Sequence, residues 1–212
     1  IKNFSARISP INNLEKLINK VRNSKLNELI KVKKLIDDCK INGTLPFAHA
    51  ARNGFVSTIL LKSFVDQKIL SQKRYDDFFE SIRTITSEFE YDLIKNKSSI
   101  QRKKIINKYG HLRPGTYEIT SDPYWKNPDK YLTTSLKKEK KNKKFRFSEK
   151  EKKDILKILK NLDESINFDD FEKYLISSIQ ERERVKFEFT KSISLSLDLI
   201  EKWSKKVDIG IN

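Results

Sequence analysis

The sequence has a single cysteine, Cys39, two histidines and no methionine. With one thiol, no disulfide can form within the chain and a cysteine-based metal site is excluded. Such cysteine usage is typical of a reducing compartment, so we expect a cytoplasmic protein. No apolar run reaches the roughly 18 residues that a membrane span needs, and no secretory signal pattern is visible. We therefore expect no membrane partner.

Glycine and proline are also scarce, with five of each among 212 residues, so few turns or long loops are indicated. Strand patterns are weak, whereas apolar residues recur at helical intervals in several segments. The sequence predicts an all-α fold, a multi-helix bundle with one long ordered loop at about 110–128 and a long C-terminal helix. Residues 1–212 are expected to form a single helical domain. The lack of any methionine suggests a fragment of a larger chain.

The predicted helices follow from apolar periodicity, caps and breaks. In chain order they cover residues 11–22, 25–39, 47–65, 71–95, 98–109, 148–161 and 168–206. The Asn42-Gly43 pair is expected to break the chain before the third of these helices. Because residues 47–65 are apolar almost all round, that helix is expected to be buried at the centre of the bundle.

The net charge is +16, from 45 Lys and Arg against 29 Asp and Glu. This balance indicates either a partner with phosphate groups or merely a lysine-rich composition. Most of the basic residues are Lys, whereas Arg is the better bidentate reader of phosphates and bases, so nucleic acid is the less favoured partner. The densest basic block lies at 137–153, and residues 134–147 are expected to form a basic mobile loop.

Motifs that carry catalysis are missing from the sequence. Neither GxxxxGK[ST] nor GxGxxG, the glycine-rich loops that bind phosphates, occurs, and there is no HExxH zinc motif. No local pattern supports a Ser/His/Asp triad around His111. The sequence therefore predicts no catalytic residue and no metal or cofactor site in this segment.

The segment KYGHLRPGTYEITSDPYWKNP, residues 108–128, contains three of the five prolines and two of the five glycines. Loops of this length in compact domains are often functional. The segment resembles the pattern YGHRxPGExDIxxPRWxExP in the central region of phosphoenolpyruvate-utilising enzymes, which include phosphoenolpyruvate synthase-like and rifampin phosphotransferase-like proteins. Residues 43–65 and 180–203 resemble the helices before and after this loop. Leu112 and Tyr124 depart from the pattern, which suggests another acceptor.

The resemblance implies that the chain is the central linker and acceptor-binding region of an ATP-dependent phosphotransferase of the dikinase type. In such enzymes an ATP-grasp-like domain binds ATP and magnesium, and a swivelling domain carries a phosphorylated histidine. We expect these two domains of the same parent chain as partners, together with a small-molecule acceptor, and no cofactor in the segment itself. The alternatives are a basic helical nucleic-acid-binding module and a non-catalytic scaffold.

The first candidate substrate-binding residues are His111, Arg113 and Glu118, which lie in the loop. Arg is a fork-shaped donor to anions, so the loop can present it to a phosphate or an acceptor oxygen. The alternative is that His111 and Arg113 brace the loop, with Glu118 paired to Arg113. Neither histidine of the chain lies in the family's phosphohistidine motif, so neither is predicted to carry the phosphate.

Three further substrate-binding candidates, His49, Arg52 and Lys186, lie on predicted helices. His49 and Arg52 share one helix face. They either form a paired network in the core or line an acceptor cavity between helices. Lys186 and Arg182 are four residues apart and present one positive face, which is either part of the site or only solvated.

Overall fold

The computed structural model describes residues 2–96, 98–133 and 144–210. These residues form α-helices, one π-helical turn and loops, with no strand among them. The helices are α1 (Lys2–Ile8), α2 (Ile11–Arg22), α3 (Glu28–Cys39), α4 (Leu45–Asp66), α5 (Gln72–Ser81), α6 (Ile85–Ile94), α7 (Ser99–Tyr109), α8 (Pro128–Tyr131), α9 (Glu149–Lys160) and α10 (Phe168–Lys206). The predicted all-α class, the long loop and the long C-terminal helix are confirmed.

Helix α10 is the central element of the fold. It has 39 residues, which at 1.5 Å per residue gives a length of about 58 Å. It packs against α2, α3, α4 and α6. Asn167 caps its first turn by accepting a hydrogen bond from the backbone N–H of Asp170 at 2.8 Å. Because no Gly or Pro interrupts it, the helix continues to its predicted end at Lys206.

The described residues contain three clusters of buried apolar side chains, each of which includes residues of α10. The first surrounds Leu14 and joins α1–α4 to the middle of α10. The second surrounds Phe78 and joins α4, α5 and α9 to the first half of α10. The third surrounds Tyr109 and joins α6 and α7 to Phe187. A fully buried side chain of this size stabilises the fold by about 1.5–3 kcal/mol.

Several predicted helix starts are confirmed by side-chain caps. Ser71 Oγ accepts a hydrogen bond from the N–H of Arg74 at 3.2 Å at the start of α5. At the start of α9, Ser148 Oγ accepts from the N–H of Glu151 at 3.3 Å. The Glu151 carboxylate accepts in return from the N–H of Ser148 at 2.7 Å. This reciprocal pair is the capping box that the Ser-x-x-Glu spacing predicts.

The break predicted at Asn42-Gly43 is wrong. The chain continues from α3 through a π-helical turn, Lys40–Thr44, directly into α4. A Cβ at Gly43 would lie 2.7 Å from the Cβ of Phe189, so the glycine allows α10 to approach this turn. Tertiary packing here outweighs the local turn preference of the Asn-Gly pair.

The single helix predicted over residues 71–95 is two helices, α5 and α6. Between them Ile82 has an extended backbone with ψ 121° and is 7% exposed, so its side chain enters the core. Thr84 and Ser87 then form a capping box, in which the N–H of Thr84 donates to Ser87 Oγ at 2.9 Å. Side-chain hydroxyl groups that bond the backbone locally compete with helical hydrogen bonds. A new helix therefore starts at Ile85, although the apolar pattern continues through this point.

Helix α4 is not buried all round, contrary to the prediction. Ala50, Leu61 and Phe64 on one side are at most 1% exposed. On the other side, large apolar residues near the start of the π-turn and along α4 are 42–66% exposed. They are Ile41, Leu45, Phe55, Val56 and Ile59. Apolar composition predicted burial on every side, but only one side of this helix faces the core.

Part of the predicted basic mobile loop over residues 134–147 is packed into the core. Residues 134–143 lie outside the described residues. The rings of Phe145 and Phe147 contact Phe78, with centroid distances of 5.3 and 5.6 Å. Arg74 also donates to the carbonyl of Arg146 at 2.6 Å. Residues 144–147 therefore form an ordered connection into α9.

Candidate functional site

The loop over residues 110–127 leaves the end of α7 and returns to its own start. The N–H of Trp125 donates to the carbonyl of Gly110 at 3.0 Å. The N–H of Tyr124 donates to the carbonyl of Leu112 at 2.8 Å. These two bonds close the base of the segment as in a compact Ω-loop. The ordered loop predicted from the sequence is therefore a folded unit with a defined tip.

Arg113 joins this loop to α10. The residue is 6% exposed. Its Nε donates to Ser194 Oγ at 3.1 Å, and its Nη2 donates to the Ser194 carbonyl at 3.1 Å and to Asp198 Oδ1 at 2.7 Å. Its Nη1 donates to the carbonyl of Ser121 within the loop. Because each guanidinium nitrogen has a partner in the fold, Arg113 acts here as a brace and not as a surface anion donor.

Asp198 belongs to an ion cluster that fixes the returning half of the loop. Lys126 Nζ lies 3.6 Å from Asp198 Oδ1 and 3.3 Å from Asp122 Oδ1, and it also pairs with Glu201. Burial raises the pKa of Asp198, although the charge of Arg113 opposes this change. The hydrogen bond from Lys126 lowers the pKa of Glu201. The cluster attaches the loop to the last turns of α10.

His111 is buried at the base of the loop, 5% exposed. Its Nε2 lies 3.1 Å from the carbonyl oxygen of Phe187, and its ring packs edge-on against the Phe187 ring at 4.6 Å. Burial, and then the charge of Lys191, lower the pKa of His111 to about 4. The imidazole is therefore neutral at pH 7, and Nε2–H donates to the carbonyl. In this position His111 braces the loop and has little surface to offer a ligand.

Glu118 lies at the exposed tip of the loop, away from Arg113. Its carboxylate accepts a hydrogen bond from Thr120 Oγ1 at 2.8 Å. The tip is tight, since a Cβ at Gly115 would lie 2.5 Å from Glu118 Oε2. The Glu118–Arg113 pair that the sequence suggested is not formed, because Asp198 takes the place of the carboxylate partner. Of the predicted loop residues, Glu118 alone is accessible to a ligand.

His49, Arg52 and Lys186 do not share a site with the loop. On α10, Phe189 faces the cluster with α4, whereas Phe187 faces the loop. Side chains two residues apart on a helix point about 200° apart, so α4 and the loop lie on opposite sides of α10. Arg52 and Lys186 are exposed and His49 is half-buried. The structure thus places these residues at a second surface, and they form no buried network.

A cleft of about 520 Å³ lies between the loop tip and the end of α10. The groups that decide its chemistry are Thr120 and Asp122 on the loop, Glu201 and Lys205 on α10, and Asp208 after the helix. Asp208 has a left-handed backbone with φ 55°, so the chain turns there and closes one side of the cleft. A hydroxyl, carboxylates and an ammonium group suit a small polar molecule with hydroxyl groups.

Sequence reasoning missed the α10 residues that hold the loop. Asp198 is 85 positions from Arg113, and no spacing rule connects residues so far apart. One signal was available, because Ser192, Ser194 and Ser196 recur within one stretch of an otherwise apolar helix. Serine is seldom buried, yet all three are at most 2% exposed. A small buried side chain lets another segment approach the helix closely, as Arg113 does at Ser194.

Within the described ranges, no His, Cys, Asp or Glu side chains are grouped in threes or more as a bound metal ion requires. In that same part of the chain, no helix combines the length and the apolar character of a membrane span. No family model matches the sequence, and neither does any curated protein or solved structure. The residues of the loop and the cleft must therefore indicate the function.

Proposed function

We propose that this chain is the central linker and acceptor-binding region of an ATP-dependent phosphotransferase that works through a phosphohistidine swivel domain. ATP and magnesium would act in other domains of the parent chain, and this segment would position the acceptor. The proposal rests on the resemblance of residues 108–128 to phosphoenolpyruvate-utilising enzymes. The single cysteine, which is buried and free, fits a reducing compartment such as the cytoplasm.

The structural observation that supports a binding role for this loop is the way Arg113 holds it. Burying a guanidinium costs several kcal/mol unless it is paired and hydrogen-bonded. Here Ser194 and Asp198 supply these partners, and the loop is held in one shape against α10. A loop that is held in one shape by a buried, fully paired guanidinium and keeps polar groups at its tip is suited to presenting those groups to a ligand.

We place the acceptor in the cleft at the loop tip, and not at His111 or Arg113. Thr120 and Asp122 can hydrogen-bond hydroxyl groups of the acceptor. Lys205, on the opposite wall, is paired with Glu201 at 2.6 Å, and an ammonium group in this position can offset part of the negative charge of an incoming phosphoryl group. Glu118 borders this tip and can contact a larger acceptor. The chemistry of phosphate transfer belongs to the swivel domain, so no catalytic residue is assigned in this segment.

The test uses the intact parent chain, radiolabelled ATP and magnesium. The phosphoenzyme is isolated, and its discharge is followed with pyruvate and with hydroxyl-bearing small molecules as acceptors. In Thr120→Val and Lys205→Ala, we expect normal labelling of the histidine and discharge slowed by about tenfold or more. The matched control is Lys160→Ala, an exposed lysine on α9, which should discharge at the wild-type rate.

Two results would oppose the proposal in different ways. If no acid-labile phosphohistidine forms in the wild-type parent, the phosphotransferase function is wrong. If the histidine is labelled but both cleft variants discharge normally, the function stands and the acceptor lies elsewhere.

The second candidate is a basic helical nucleic-acid-binding module, which the net charge of +16 favours. It predicts binding to DNA or RNA that weakens steeply as salt increases. A mobility-shift titration without binding at low salt removes this candidate. A non-catalytic scaffold is the interpretation that remains if neither phosphohistidine nor nucleic-acid binding is found.

A further inference from the structure

A second surface lies across α10 from the loop. We call it the exposed α4 stripe and define it by Leu45, Ala48, Arg52, Phe55, Ile59 and Lys62. Every one of these residues is exposed. They follow one another at alternating intervals of three and four positions, which is the spacing of the a and d residues that face a partner in a coiled coil.

The stripe exposes more large apolar side chains than ordinary surface does, on both sides of Arg52. Leu45, Phe55 and Ile59 are 56%, 53% and 66% exposed. Ile41 and Val56 extend the apolar surface at 65% and 42% exposure. Single exposed apolar residues are common, but several on one side of a helix are typical of a surface that another molecule or domain covers.

The charged residues in and beside the stripe are basic. Arg52 lies in the middle of the stripe, and two basic residues of α10 lie beside it. The Arg182 guanidinium packs over the Phe55 ring at 4.3 Å, and Lys186 follows one turn along α10 and is exposed.

On α4 the one carboxylate is that of Asp66, the last residue of the helix. Asp37, four residues before Ile41, is paired with Lys33 and Lys40. The charge around the stripe thus complements a partner that carries carboxylates.

We propose that the exposed α4 stripe binds an amphipathic α-helix of a partner protein. Acidic residues flank the apolar face of that helix, and one acidic residue lies opposite Arg52. The three-four spacing matches the side-chain rows of a second helix. Ala48, between Leu45 and Arg52, has the smallest side chain of the stripe, so a side chain of that helix can approach most closely there. A charged residue at such a core position fixes the register of the pair when it meets its counter-ion.

Two other occupants fit the stripe less well. In a second copy of this chain, Arg52 would meet the same basic stripe, and each copy carries a net charge of +16, so the copies repel. A lipid bilayer would receive the apolar ends of the stripe, but Arg52 interrupts the middle, where an interfacial helix is continuously apolar.

The test measures binding of the full chain to a fluorescent heptad peptide of about three heptads, with Leu and Ile at a and d except for one Glu at the central a position, and with Glu at e and g. The same peptide with Lys in place of every Glu is the control probe. By fluorescence anisotropy we expect the acidic peptide to bind and the basic peptide not to bind. Ile59→Ser should weaken binding by about tenfold or more, and Arg52→Glu should reverse the preference between the peptides.

Ile100→Ser is the matched control variant, because Ile100 is 70% exposed on α7, outside the stripe. It should bind the acidic peptide like the wild type. The proposal is overturned if the acidic peptide does not bind, or if Ile59→Ser and Arg52→Glu leave its binding unchanged. Two further measurements test the other occupants. The proposal is also overturned if Ile59→Ser leaves peptide binding intact but abolishes either self-association in sedimentation or binding to phosphatidylserine-rich vesicles.

Discussion

Arg113 and Asp198 form an ion pair whose side chains are 1% and 18% exposed. Removing one partner of a buried pair costs about 3–5 kcal/mol, but Lys126 remains 3.6 Å from Asp198 and keeps part of the compensation. We therefore expect Arg113→Ala to lower the free energy of unfolding by about 3 kcal/mol, the lower end of this range. Arg113→Lys should recover only part of the loss, because an ammonium group cannot reproduce the fork that reaches both Ser194 and Asp198. Urea unfolding at pH 7 measures both variants.

Arg102→Ala is the control for this measurement. Arg102 pairs with Asp129, whose side chain is 91% exposed, and exposed pairs contribute at most about 1 kcal/mol. If Arg113→Ala costs no more stability than Arg102→Ala, Arg113 is not the brace of the loop.

His111 gives the fold a pH dependence with a definite sign. Its pKa in the folded chain is about 4, below the value of about 6.5 for an unperturbed histidine. Between these values the unfolded state binds more protons, so stability rises with pH across this window and is lost as pH falls. From pH 7 to pH 5 the loss from this group is about 2 kcal/mol.

Urea unfolding at pH 7 and pH 5 checks this prediction by comparing the wild type with His111→Gln. Because Gln does not titrate, the variant should lose about 2 kcal/mol less than the wild type over this interval. Equal losses in the two proteins would show that His111 is not held neutral by burial.

At the scale of single elements, Gly43 sets how closely the π-turn approaches α10. In Gly43→Ala the new Cβ would lie 2.7 Å from Phe189 Cβ, with Leu14 and Cys39 also in contact. Overpacking of this kind costs about 1–3 kcal/mol, so we expect a lower thermal midpoint. An unchanged or higher midpoint would mean that α10 can move away from the turn at little cost.

Gly54→Ala is the matched variant on the same helix. There the nearest atom to a new Cβ is the flexible Arg182 Cδ, at 3.0 Å. Ala is favoured over Gly in a helix interior by about 1 kcal/mol. The two effects should nearly cancel, so Gly54→Ala should unfold within about 1 kcal/mol of the wild type.

Local chemistry explains which elements could be predicted from the sequence. Short cap patterns predict the start of α9 at Ser148 and the start of α10 at Asn167. No Gly or Pro interrupts α10 before Lys206. The π-turn and the break at Ile82 depend instead on what the side chain meets across the core. The inner side of α4 was predicted, but its exposed side was not, because apolar composition does not say how many sides of a helix have neighbours.

The position of the candidate site in the sequence could be predicted, but the contacts of its residues could not. The loop stood out by its prolines, glycines and aromatic residues, and it is ordered as predicted. Of the two roles that the sequence left open, His111 and Arg113 have the bracing one, since both are buried, and only Glu118 faces solvent. Asp198 and Lys126 carry no local signal of their own, because their importance arises from the approach of the loop to a distant part of α10.

At the scale of the whole molecule, α10 separates two surfaces with different chemistry. The loop and its cleft are polar and suit a small acceptor. The exposed α4 stripe is apolar with basic borders and suits an acidic helix. Under the two proposals, the cleft would receive the acceptor and the stripe would receive a helix of a partner protein.

The role that we propose for the braced loop is to position the acceptor of a phosphotransferase. The most direct test is to compare Arg113→Ala with Arg102→Ala in the intact parent chain, after circular dichroism has shown that both are folded. We expect Arg113→Ala still to acquire phosphate on the swivel-domain histidine but no longer to pass it to the acceptor, whereas Arg102→Ala should do both. Acceptor phosphorylation by Arg113→Ala at the wild-type rate would show that the braced loop does not position the acceptor.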